Sequence, residues 1–198
     1  MYINKYILTN AGTQVGKVYL PTFNLKVGNF ICIHWLLPYN SIEEKLLDDL
    51  LFKKKNLPSF KVGCKIARIK PIPLENNFWH ILFNNKKNIF EFLSNKLDKN
   101  LVDLERVCKQ IGIDTYAKIY SLSLTQRVLV SIEVSYYQKY KIILLDTAGL
   151  DPVGVQRIYQ SISEKLDQIA VLHLSYPTIP QRNCYLQASH VEAYVVAR

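Results

Sequence analysis

The chain has 198 residues, of which 49% are hydrophobic and 21% charged. That is a globular composition, which excludes a disordered, collagen-like or disulfide-scaffold protein, and its length suits one large domain or a lean two-lobed one. Lys and Arg outnumber Asp and Glu by 25 to 16, giving a net charge of +9, yet the lysines are dispersed apart from small clusters at Lys53–Lys55 and Lys86–Lys87. They read as a solvated surface rather than as a nucleic-acid site.

In chain order, Val15 to Leu20 and Phe23 to Val27 are β-rich, and Gly28 punctuates before the apolar run Phe30-Ile31-Cys32-Ile33-His34-Trp35. A run of that kind suits a strand buried on both faces. Ser41 to Phe52 reads as an amphipathic helix whose stripe is Ile42, Leu46, Leu47, Leu50 and Leu51. A strand is expected around Gly63 to Ile69. From Lys86 to about Gln110 the apolar residues recur at helical spacing: Ile89, Phe90, Phe92, Leu93, Leu97, then Leu101, Leu104, Val107, Cys108 and Ile111. The periodicity predicts a helical subdomain over about 75–122. A helix over 123–139 leads to the strand Lys141 to Asp146; a helix over 153–167 and a strand Ile169 to Ser175 complete a β-α-β unit, which implies parallel strands. His190 to Ala197 is the last expected strand.

Met1 to Tyr6 lacks an apolar signal core, and no apolar run reaches the roughly 18 residues that span a bilayer. A cytoplasmic protein is expected. Cys32, Cys64, Cys108 and Cys184 lie far apart without a CxxC pair and read as buried thiols. His34, His80, His173 and His190 have no metal-ligand spacing, so they read as surface or satisfied core histidines, and no metal site is expected.

Two tracts are specific. The run Ile142-Ile143-Leu144-Leu145-Asp146-Thr147-Ala148-Gly149-Leu150-Asp151-Pro152 resembles the Walker B strand and D-loop of the nucleotide-binding subunits of ABC (ATP-binding cassette) transporters. Upstream, Leu122-Ser123-Leu124-Thr125-Gln126-Arg127 is similar to that family's signature, and Ala170 to Tyr176 occupies the place of the switch-histidine strand. The resemblance is concentrated in residues 100–176. It implies an α/β fold: a P-loop-NTPase-like three-layer core of mainly parallel strands with an N-terminal antiparallel β element and a small helical subdomain. The whole of residues 1–198 would then be a single domain, with the helical subdomain inserted at about 75–122.

The chemistry that such a fold normally carries is missing from the sequence. A P-loop needs glycines whose bare backbone wraps phosphates, and a Lys reaching the β/γ-phosphates. The corresponding tract here, Trp35 to Glu43 with Trp35, Pro38, Asn40 and Ser41, has neither. Ser41-Ile42-Glu43-Glu44 reads instead as a capping box, which would occupy the helix donors that a phosphate requires. Asp146 is followed directly by Thr147-Ala148-Gly149, without the family's Glu. It reads as a strand-end residue holding the next turn. The switch position is Tyr176, which takes up no proton near neutral pH. In the signature, Leu124 and Thr125 replace two glycines, while Ser123 (a candidate N-cap), Gln126 and Arg127 remain. Lys70 and Pro71 sit near the place of the family's linking Gln. An adenine-stacking aromatic is open among Tyr2, Tyr6 and Tyr19. Phe78-Trp79 is a candidate lining for a groove that receives a permease helix.

What the resemblance leaves is architectural. The Ala148-Gly149-Leu150-Asp151 loop lies at the dimer interface in the family. The expectation is therefore a structural or regulatory subunit with no catalytic residues and no cofactor. Its partner would be an ABC ATPase subunit, a membrane permease or a second copy, and it would meet a membrane only through that partner. Two other readings are kept: an active transporter ATPase with an unorthodox nucleotide site, using ATP and Mg²⁺, and a basic module for nucleic acid or anionic membrane.

Overall fold

The computed structural model describes residues 6–35, 42–52, 57–72, 88–97, 101–175 and 189–195. Contacts divide the chain into two compact units, one of residues 1–68, 140–149 and 163–198 and the other of residues 69–139 and 150–162.

Among the described residues the first unit holds ten strands: β1 (Leu8–Asn10), β2 (Thr13–Val15), β3 (Val18–Leu20), β4 (Phe23–Leu25), β5 (Phe30–Trp35), β6 (Phe60–Val62), β7 (Ile66–Arg68), β8 (Ile142–Asp146), β9 (Ala170–Ser175) and β10 (Ser189–Val195). They form a three-stranded antiparallel sheet, β4-β1-β6, and a seven-stranded sheet, β2-β3-β10-β5-β9-β8-β7. From β10 to β7 all neighbours in the larger sheet are parallel, and β3 joins β10 antiparallel. Helix α1 (Ile42–Phe52) follows β5. It buries Leu47, Leu50 and Leu51, the i, i+3, i+4 stripe of an amphipathic helix, and Asp48 on its other side pairs with Arg68 of β7.

These elements share one core. Leu8, Phe23, Leu25 and Phe60 of the small sheet cluster with Ile31, Ile33, Leu144, Leu172, Leu174 and Ala193 of the large one and with the α1 leucines. The alternate residues of the central strands, Phe30, Cys32, Ile143, Leu145, Val171 and His173, are buried as well. Both faces of β5, β8 and β9 are thus removed from water, which is why these strands read as continuous apolar runs rather than alternating ones. Asn10 and Thr13 are buried polar residues of the short N-terminal strands. Asn10 Nδ2 donates to the carbonyls of Leu20 (3.2 Å) and Pro21 (2.7 Å), and its Oδ1 accepts from Thr13 Oγ1 (2.7 Å), so its burial leaves no amide group unpaired.

The second unit holds α2 (Ile89–Lys96), α3 (Leu101–Gln110), a 3-10 turn at Ile119–Ser121, α4 (Leu124–Tyr137) and α5 (Pro152–Ser163). Each boundary has a local cause. Asn88 caps α2 by accepting from the Glu91 amide at 2.8 Å. Helix α3 ends in a Schellman motif: Gly112 at φ +67° donates to Lys109 O and Ile113 donates to Cys108 O. Asp151 starts α5, its Oδ1 accepting from the Gly154 amide at 2.8 Å with Pro152 in the first helical position. Arg157 Nη2 and Gln126 Nε2 then reach back to the carbonyls of Ile111 and Gly112 and satisfy the end of α3.

The parallel sheet and the antiparallel element agree with the sequence reading; several boundaries differ. The expected strand 15–20 is two strands joined by a turn at Gly16-Lys17, and the strand expected around 63–69 is confined to 66–68. The helical periodicity is carried by α2 and α3, and β6 was not anticipated. The helix expected over 153–167 stops at Ser163, where the chain turns so that Gln168 and Ile169 both donate to Lys165 O on the way into β9.

Gly154 sits in close contact with its neighbours in the second unit. A Cβ there would overlap Thr125 Oγ1 and lie 3.3 Å from Asp151 Oδ2. Gly154→Ala is expected to lower stability by about 1–3 kcal/mol despite the better helix propensity of Ala. Adding Thr125→Ala should restore most of the loss, and urea denaturation of the three variants checks both statements.

Candidate functional site

Parallel α/β sheets bind ligands at the carboxyl ends of their strands, so the site is sought at the ends of β5, β9 and β8. Register defines two rows there. On one face, Ile33, Leu174 and Asp146 are neighbours; on the other, His34 pairs with Ser175, and below them Cys32, His173 and Leu145 are aligned. Thr147, two residues beyond Leu145, shares the second face by the alternation of strand side chains.

The second face is polar and dry. Cys32, Thr147 and His173 are each 0% exposed and Ser175 is 4% exposed. His173 Nε2 lies 3.0 Å from Thr147 Oγ1, and its Nδ1 lies 3.6 Å from Cys32 Sγ. Phe30 flanks the imidazole at 6.0 Å between centroids. Burial, with a smaller contribution from nearby His34, pushes the His173 pKa down to about 3, so the ring is neutral at physiological pH. On the first face, Asp146 Oδ1 accepts from the Ala148 amide at 2.8 Å and closes a turn over Thr147. Gly149 follows at φ +80°, a conformation that favours glycine. The segment Ala148-Gly149-Leu150-Asp151 leads from this turn to the cap of α5, and Val153 beyond it is 67% exposed.

The signature-like residues lie at the start of α4. Ser123 Oγ accepts from the Gln126 amide (3.2 Å), and Gln126 Oε1 accepts from the Ser123 amide (3.0 Å), a complete capping box. Arg127 Nη1 donates to Ile72 O at 3.0 Å, and Ser131 Oγ donates to Lys70 O at 2.6 Å, so α4 holds the segment around residues 70–72. Of the degenerate Walker A positions, Trp35 closes β5, while Pro38, Asn40 and Ser41 lie outside the described residues, as do Tyr176, Phe78 and Trp79. Among the described residues, no group of three or more His, Cys, Asp or Glu could hold a metal ion, and no helix is long and apolar enough to cross a membrane.

The grouping of Cys32, His34, Thr147, His173 and Ser175 was not foreseen from sequence. The one available signal was the alternation Cys32-x-His34 and His173-x-Ser175 inside otherwise apolar strands.

No protein-family model matches the chain, and no curated protein matches it by sequence. Solved structures do. The cbiO1 protein of Clostridium perfringens, part of the ABC transporter complex cbiONQ, aligns with TM-score 0.64 and 18% identity over 96% of this chain and 87% of that one. The ADP conformation of an ATP-binding cassette of an ABC transporter gives 0.64 and 14% over 96% and 90%. An inward-facing metal-chelate type ABC transporter gives 0.61 and 18% over 87% and 73%. The chain has the ABC-ATPase-like P-loop NTPase fold.

Proposed function

We propose that the chain is a catalytically degenerate ABC-ATPase-like subunit that works through protein–protein contacts in a transporter-type complex. The observation that carries this reading is the state of Asp146. Its carboxylate closes a turn onto the Ala148 amide, next to a neutral, buried Thr147–His173 pair, where an ATPase would need a ligand for Mg²⁺ and an acid to orient water. The tract between β5 and α1 supports it, since it has no Gly or Lys to cradle phosphates. Neither ATP nor Mg²⁺ then has a role, and residues about 75–122 serve as the helical subdomain. The partner is an ABC ATPase subunit, a permease or a second copy, engaged on the cytoplasmic side. The solved structures that share this fold, an ATP-binding cassette of an ABC transporter and a part of the cbiONQ transporter complex, support that partner class.

The contact surface in this reading is Ala148 to Asp151 with exposed Val153. Charge reversal at Asp151 would also remove the α5 cap, so two gentler substitutions test it. Asp151→Asn keeps a capping oxygen and removes the charge. Val153→Glu puts an acid where the helix dipole favours one. Both are expected to weaken self-association or partner binding by about tenfold or more, roughly 1.4 kcal/mol, with an unchanged melting temperature. Sedimentation velocity of the pure chain and co-purification with a candidate permease read the effect. Unaltered assembly in both variants refutes the surface.

A further inference from the structure

We infer that His173 is the positioning residue of the turn Thr147–Gly149, gripping it from one face of the sheet while Asp146 grips it from the other. The functional weight of this inference rests on the reading of Ala148–Asp151 as a contact surface; the geometry does not. Strand β9 lies between β5 and β8, so a side chain in β9 reaches both neighbours. His173 uses that position with both ring nitrogens. One meets the thiol of Cys32 in β5, the other the hydroxyl of Thr147, which has already left the ladder of β8. Ladder pairing ends at Asp146, so the turn beyond it has to be fixed by side chains. Two such bonds bear on it, Thr147–His173 on one face and Ala148–Asp146 on the other. Between them the chain passes to Gly149, a residue with the freedom to swing when either grip is lost. Burial strengthens the arrangement, because Thr147 and His173 are both 0% exposed and bulk solvent does not compete for their bond.

Peptide-level hydrogen exchange on the free, purified chain tests the inference. Thr147→Val removes the hydroxyl at nearly constant volume. It should accelerate exchange of amides 148–150 by about tenfold while amides 171–174 of β9 change less than about twofold, the pattern of a local opening. Thr147→Ser, which keeps the hydroxyl, should retain slow exchange. If Thr147→Val fails to fold, His173→Gln replaces it, with the same selective loss of protection expected. An unchanged turn, or equal acceleration of turn and strand, overturns the inference and reduces His173 to core filling. No partner is present in this experiment. Failure of the contact surface therefore shows only in the Val153→Glu and Asp151→Asn measurements, and failure of the positioning role only in exchange.

Discussion

Incubated with millimolar Mg²⁺ and ATP, the purified chain is expected to release no phosphate above background, and Asp146→Asn should change nothing. A working ATPase draws its rate enhancement, about a millionfold or more in enzymes generally, from groups that act as a unit. In the reading proposed above, four of them are replaced or missing: the P-loop glycines, its Lys, the acid after the Walker B-like Asp, and the switch histidine, for which the resemblance gives Tyr176. For the same reason Tyr176→His alone should leave the rate at background, since it would supply one proton acceptor and no phosphate cradle. A phosphate-release assay with a fluorescent sensor reads all three proteins. Clear turnover by the wild type, lost in Asp146→Asn, would establish the unorthodox active site instead.

Acid is expected to destabilise the chain steeply through one buried ring. His173 in the folded chain titrates at about 3, against an ordinary value of 6.5. Above pH 6.5 the ring is neutral both folded and unfolded and the linkage contributes nothing. Below it the unfolded chain takes up a proton that the folded chain refuses, so stability falls with pH by up to about 1.4 kcal/mol per unit until the folded ring titrates. Over the window from 6.5 down to 3 the loss attributable to His173 is about 3–5 kcal/mol, on the order of a third or more of a typical domain's stability. His173→Gln removes the titration and keeps a hydrogen-bonding group. Its stability at pH 7.5 should lie below that of the wild type, and the two should converge as pH falls. Carboxylates contribute to both proteins alike and cancel in the comparison. Guanidinium denaturation at half-unit pH steps from 7.5 to 4 measures it, and parallel pH profiles would mean that the ring is charged or solvated in the native chain.

The parts of the site that were legible in sequence are contiguous ones. Strand β8, the Asp146 turn and the start of α5 occupy one stretch, so their order of apolar run, Asp, Gly and Asp-Pro could be read without knowing what lies beside them. The Ser123 N-cap is local in the same way, whereas its reciprocal bond with Gln126 was not read from the sequence. The polar row was not legible, because Cys32 and His34 meet His173 and Ser175 only through β5–β9 pairing across about 140 residues. Strands buried on both faces also hide the alternation that would have announced it. Strand β6 escaped for a related reason: three residues carry too little periodicity to stand out, and its partner β1 is about 50 residues away. The helix after Asp151 was overextended because Glu164-Lys165-Leu166-Asp167 still suits a helix. The requirement to enter β9 beside β5 and β8 overrides that preference.

The described sheets end in very short strands. β2 and β7 flank the large sheet and β4 and β6 the small one, each only three residues long, and β7 carries Arg68 tied to Asp48. A visiting strand would find two or three open backbone groups at any of these margins, too few to repay the entropy of ordering it. Such margins protect a β-rich chain against edge-to-edge stacking at high concentration. They also constrain its sociability: at these described margins a partner is held by side chains on loops and helices, where single substitutions can be resolved one at a time, and not by continuing a ladder that tolerates almost any sequence.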